Sequence, residues 1–153
     1  MVLDVCGLKD GDSRAIYRNV TLDIRNYNKI QMFVHGESNA GSEPINDNEA
    51  TVFVRLGTDF VSNYYEYEMP VKISSWGNNS ANSVWPQENN LTINLNHLKD
   101  LKKNRNATDY SNFDRFTRED PDNSSSNITV VGNPNLQGVK TIMIGVRNPK
   151  SND

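Results

Sequence analysis

The residues able to do chemistry are few. Glu66 and Glu68 stand two apart in YYEYE, which on a strand sets their carboxylates ~7 Å apart on one face. That separation suits an acid/base pair acting on a glycosidic bond, but it is equally the spacing of two carboxylates on an ion-paired strand face. The two histidines, His35 and His97, have no H-x-x-H or H-x-x-x-H relation, and Cys6 is the single cysteine. A lone cysteine excludes an internal disulfide and a cysteine-based zinc site. No phosphate loop, G-x-S-x-G elbow or dinucleotide fingerprint occurs. The expectation is therefore a non-enzyme, with no catalytic residue, no metal and no cofactor. The aromatic side chains are the richer material. Trp76 and Trp85 lie in the polar stretch SSWGNNSANSVWPQENN (74–90), where they could form a flat platform for sugar rings. Such a carbohydrate-binding module is the alternative function.

The elements that would position these residues alternate with period two. Val20, Leu22 and Ile24 share a face in NVTLDIR, and Ile30, Met32 and Val34 share one in IQMFVHGE. Val52, Val54 and Leu56 oppose Phe53 and Arg55. Tyr65, Tyr67, Met69 and Val71 oppose Tyr64, Glu66 and Glu68. These two runs read as antiparallel neighbours joined at GTDFVSN, which would place Arg55 across from one of the glutamates. One helix is expected over NHLKDLKKNRN (96–106), with Asn96 as N-cap and Leu98 and Leu101 inward. The charged, Ser/Asn-rich stretch 107–126 reads as a loop. NITVVGNPNLQGVKTIMIGVRNP then reads as two strands around GNPNLQG, with Ile142, Ile144 and Val146 on one side of the last strand and Met143, Gly145 and Arg147 on the other.

The sum is a mainly β chain: an antiparallel two-sheet β-sandwich, jelly-roll or galactose-binding-like, with one short helix. At 153 residues the chain has the length of one domain. We expect a lead-in over 1–11, a single sandwich domain over 12–150 and a polar tail over 151–153. Apolar residues make up 35%, while asparagine numbers 23 and collects in turns and loops. The net charge of −3, with no basic cluster beyond LKKNR, argues against nucleic acid as a partner. No apolar run approaches the ~18 residues of a membrane-spanning helix. MVLDVCGLKDGDSR lacks the basic-then-apolar order of a signal peptide, which fits a cytosolic chain and equally a segment excised from a larger secreted protein.

Four strings occur in one order: LDIRNYNKIQMFVHGE, FVRLGTDFVSNYYEYEMPVKIS, VWPQENNLTINL with LKKNRN, and VVGNPNLQGVKTIMIGVRNPK. In order and spacing, over about residues 12–150, they resemble the SprA family of gliding-motility cell-surface proteins. The resemblance implies a non-enzymatic structural or interaction domain of the outer-membrane translocon of type IX secretion, serving protein secretion and gliding motility. It implies a place in the cell envelope, associated with the outer membrane on its periplasmic or cell-surface side. The implied partners are the other domains of the parent translocon, its accessory subunits and secreted client proteins. Within the matching strings, the side chains not required by the core are Arg55, Asp59, Asn63, Tyr64, Glu66, Trp85, Arg147 and Asn148. These are the candidate contact residues.

Overall fold

The computed structural model describes residues 1–38 and 44–150. The tail 151–153 and residues 39–43 lie outside the described residues. Among the described residues ten strands follow in chain order: β1 (Ser13–Leu22), β2 (Lys29–Phe33), β3 (Gly36–Glu37), β4 (Thr51–Gly57), β5 (Tyr64–Pro70), β6 (Ile73–Ser74), β7 (Asn90–Asn94), β8 (Phe116–Asp120), β9 (Asn123–Val131) and β10 (Val139–Arg147). The described residues also form two α-helices, the single turn α1 (Ala81–Val84) and the longer α2 (Leu95–Asn106).

Six strands form one antiparallel sheet in the order β1-β10-β4-β5-β9-β8. β4 and β5 make the expected hairpin, with Val54 opposite Tyr67 and Arg55 opposite Glu66. Because strand side chains alternate between faces, this register gathers Val52, Val54, Leu56, Tyr65, Tyr67 and Met69 on one side, where Ile128 and Val130 of β9 join them. Over that side pack β2 and β7, which pair only with each other, and α2. Leu91, Ile93, Leu95, Leu98 and Leu101 are each at most 3% exposed, so the ribbon and helix close one continuous core. Ile30 and Met32 complete it from β2.

The chain is mainly β with largely antiparallel sheets, but the second layer differs from the expectation. It is a two-stranded ribbon and a helix, not a second full sheet, and α1 adds a second helix to the one foreseen. β3 and β6 form a short parallel pair. α2 begins one residue early, and its N-cap is Asn94, whose side chain accepts from the Asn96 backbone N–H. Leu22 is exposed, because the β1–β10 register shifts between Asn19 and Leu22 and turns it out of the core; Val20 and Ile24 stay packed.

Two corrections concern the C-terminal third. The stretch 107–126 is not all loop: β8 spans Phe116–Asp120 and β9 starts at Asn123. Phe116 is 5% exposed and pairs opposite Val130, so one buried ring anchors an otherwise polar strand. The strands flanking GNPNLQG are not neighbours. β4 and β5 lie between β9 and β10, so this segment is a crossover and not a hairpin turn.

Candidate functional site

The second face of the six-stranded sheet carries Arg55, Tyr64, Glu66, Glu68 and Arg147. Polar types at alternate positions would normally mark a solvated surface. Here Glu66 is 1% exposed and Tyr64 4%. A buried carboxylate requires paired cations and hydrogen bonds to offset its lost hydration, and three arginines supply them. Arg55 donates to Glu66 Oε2 from Nε at 2.8 Å and from Nη2 at 2.5 Å. Arg115 Nη2 donates to Oε1 at 2.7 Å. Arg147 reaches both oxygens at 3.3 Å and also pairs with Glu68. Thr51 Oγ1 donates to the other Glu68 oxygen at 2.6 Å.

Aromatic rings roof this network. The Arg55 guanidinium stands 3.9 Å from the centroid of Tyr64, and that of Arg147 4.6 Å from the centroid of Phe53. Cations over ring faces are attracted by the ring quadrupole, so the rings both shield the charges from water and hold them in place. Burial acts to raise the Glu66 carboxyl, but Arg115, Arg55 and Arg147 outweigh it and hold it below the ordinary carboxylate range. A carboxylate locked in this state makes a poor proton donor. The Glu66–Glu68 pair accordingly presents as an ion-paired clamp.

The other candidates fall into separate places. Asp59 and Asn63 shape the β4–β5 turn. Asp59 Oδ1 accepts the backbone N–H groups of Val61, Ser62 and Asn63. Asp59 Oδ2 accepts the Asn63 side-chain amide at 3.0 Å. Asn63 Oδ1 in turn accepts the Asn133 backbone N–H at 2.9 Å, tying the turn to the crossover. Asn148 bridges toward the N-terminal segment, its side chain donating to the Leu8 carbonyl at 3.2 Å. Trp85 is 48% exposed, 5.9 Å by ring centroids from both Phe33 and His35. It lines a shallow groove of about 360 Å³ with Lys72, Asn78, Asn82, Ser83 and Glu88. Trp76, 60% exposed, shares neither a ring contact with Trp85 nor that groove.

Sequence reasoning missed Arg115, which lies in the stretch read as loop. No alternation marked the strand that begins beside it, because Phe116 is the one apolar residue of β8. It also missed Phe33 and His35 as the partners of Trp85. Beneath α2, His97 Nδ1 lies 2.7 Å from Asp120 Oδ1, a bond between helix and sheet that no spacing rule anticipates.

Partial burial would raise the Asp59 carboxyl. The N–H of Ser62, the amide of Asn63 and the N–H groups of Val61 and Asn63 outweigh it and bring it from 3.8 to about 2. A carboxyl depressed in the folded state adds stability that is full above its unfolded value of 3.8 and is lost as pH falls toward 2. Asp59→Asn keeps the turn-forming side chain without the titration. Between pH 5 and pH 2.5 this variant should lose less stability than the native chain, by urea denaturation at each pH; equal losses would remove Asp59 from the acid response.

Among the described residues no cluster of His, Cys, Asp and Glu could hold a metal ion, and no helix is long and apolar enough to cross a membrane. No curated protein matches the chain. The family described as motility related/secretion protein, SprA_N, matches residues 1–153, and the chain belongs to that family.

Proposed function

We propose that this chain is a non-enzymatic structural and interaction domain of a SprA-like outer-membrane translocon, serving protein secretion and gliding motility from the cell envelope. The observation that carries the reading is the family match over the whole chain. The site geometry agrees with it. Side chains that could have been catalytic are engaged in holding the sheet: Glu66 by three arginines, Glu68 by Arg147 and Thr51, and Asp59 by its own turn. A sheet clamped on one face by ion pairs and on the other by an apolar core is stiff, and stiffness lets a domain present loops and edges in fixed positions to neighbouring parts of a larger assembly.

The partners in this reading are other domains of the parent protein, its accessory subunits and its secreted clients. In-frame deletion of the segment corresponding to residues 12–150 from the full-length protein tests it. The expected result is loss of secretion together with loss of co-purifying accessory subunits, while the outer-membrane level of the shortened protein is monitored by immunoblot. Normal secretion and normal assembly would overturn the reading.

A further inference from the structure

β1 is the longest strand of the sheet and lies at its edge, where among the described residues it is hydrogen-bonded to β10 on one side only. Nine of its ten residues are exposed, and only Val20 is half-buried. An edge strand offers a row of unpaired backbone N–H and C=O groups, and proteins ordinarily blunt such edges by shortness, by lysine or proline, by a bulge or by a cover. The opposite edge is blunted: β8 has five residues, carries Arg118, Glu119 and Asp120, and is touched by α2. β1 has neither lysine nor proline, and its one irregularity lies at its far end, between Asn19 and Leu22. From Ser13 to Asn19 it is a regular, open template.

Its side chains specify what would fit. Arg14, Ile16 and Arg18 pair with Val146, Ile144 and Ile142 and therefore share one face. Ile16 is 44% exposed. The Arg14 guanidinium donates only to the neighbouring Ser13 carbonyl, and Arg18 has no partner among the described residues. β1 carries no acidic residue, in a chain whose net charge is −3. The strand thus presents cation, apolar, cation at alternate positions, with the cations about 13 Å apart. An added strand sets one residue opposite each, and opposite charges in that relation attract while like charges repel. A second copy added antiparallel in the register centred on Ile16 would set Arg14 against Arg18, so the charge pattern disfavours that self-pairing.

We propose that β1 is a strand-addition site for an extended partner segment with the alternation acid-x-apolar-x-acid. Main-chain hydrogen bonds would supply affinity, and the Arg14, Ile16 and Arg18 face would supply selectivity. The proposal needs only the open edge and its charges, so it stands or falls separately from the secretion role.

The test titrates the 153-residue chain with a capped heptapeptide, Thr-Glu-Thr-Val-Thr-Glu-Thr, and with its lysine-for-glutamate counterpart. Fluorescence anisotropy gives affinity, and amide hydrogen exchange gives location. The glutamate peptide should bind roughly five- to tenfold more tightly, slowing exchange at amides between Ser13 and Asn19. The double variant Arg14→Glu/Arg18→Glu, with its fold verified by circular dichroism, should prefer the lysine peptide. Arg18→Gln alone should narrow the preference without reversing it. Failure of both peptides to bind, equal affinities, unchanged exchange in β1, or sedimentation showing that the chain dimerises through β1 would each overturn the proposal.

Discussion

Replacing Glu66 with alanine should lower the unfolding free energy by about 3–5 kcal/mol, the range seen when one partner is removed from a buried ion pair. The reason is positional. Glu66 is 1% exposed and is the one carboxylate that all three of Arg55, Arg115 and Arg147 share. Without it Arg55 and Arg115 lose this carboxylate while Arg147 keeps Glu68, and Arg55 and Arg147 are only 15% and 16% exposed. Arg115→Gln is the internal comparison. Its side chain is 46% exposed, so water replaces much of what the pair supplied and the cost should stay below about 1 kcal/mol. Urea denaturation of both variants, with unchanged slopes, checks the ordering. If Glu66→Ala costs no more than Arg115→Gln, the clamp is not what holds this face. The pH response has a definite sign as well. The folded Glu66 carboxyl lies below its ordinary value of 4.5, so its stabilisation is present above that pH and is lost as pH falls through the folded value.

How this clamp escaped full recognition shows where sequence patterns inform and where they do not. The apolar face of β4 and β5 was legible, because alternation of Val52, Val54 and Leu56 with Phe53 and Arg55 fixes which side chains share a side. The hairpin followed from the spacing, and with it the Arg55–Glu66 pair. That the second face is also buried was not legible. Arg55, Glu66 and Glu68 have the composition of a solvated surface, and their burial depends on Arg147, 81 positions from Glu66, and Arg115, 49 positions from it. Charges that bury one another leave no periodic signature.

The same limit governs the topology. GNPNLQG has the composition of a tight turn, and two strands on either side of a turn suggest a hairpin. Turn chemistry reports only local chain reversal. β9 and β10 flank the β4–β5 hairpin on opposite sides, a long-range arrangement that local turn composition does not carry. β8 was hidden for a further reason: of its five residues only Phe116 is apolar, so its alternation is too short to register. The candidate residues divide likewise. Arg55, Tyr64, Glu66 and Arg147 converge, whereas Asp59 with Asn63, Asn148 and Trp85 serve three other places.

Gly132→Ala should be among the most damaging single substitutions in the chain, and its cost can be divided. Gly132 has φ +68°, a conformation that costs a side chain roughly 1–2 kcal/mol. A Cβ there would also fall 1.9 Å from the Ser62 carbonyl oxygen and 2.5 Å from Asn63 Oδ1. Neither neighbour can yield cheaply. Ser62 O is backbone within a turn whose N–H groups converge on Asp59, and Asn63 Oδ1 already accepts the Asn133 N–H. On the far side, the Gly132 N–H donates to the Asn112 carbonyl at 2.7 Å. Gly132 is therefore the point at which the β4–β5 turn, the segment before β8 and the crossover after β9 meet. Gly77→Ala isolates the conformational part, since Gly77 has φ +72° with nothing within 4 Å of its Cβ position. We expect Gly77→Ala to cost about 1 kcal/mol and Gly132→Ala at least about 3 kcal/mol, or to prevent folding. The excess measures close packing at the junction, and equal losses in thermal or urea unfolding would show that the turn yields. Because Asn63 and Asp59 sit in that same turn, the excess also measures how firmly this end of the sheet is held.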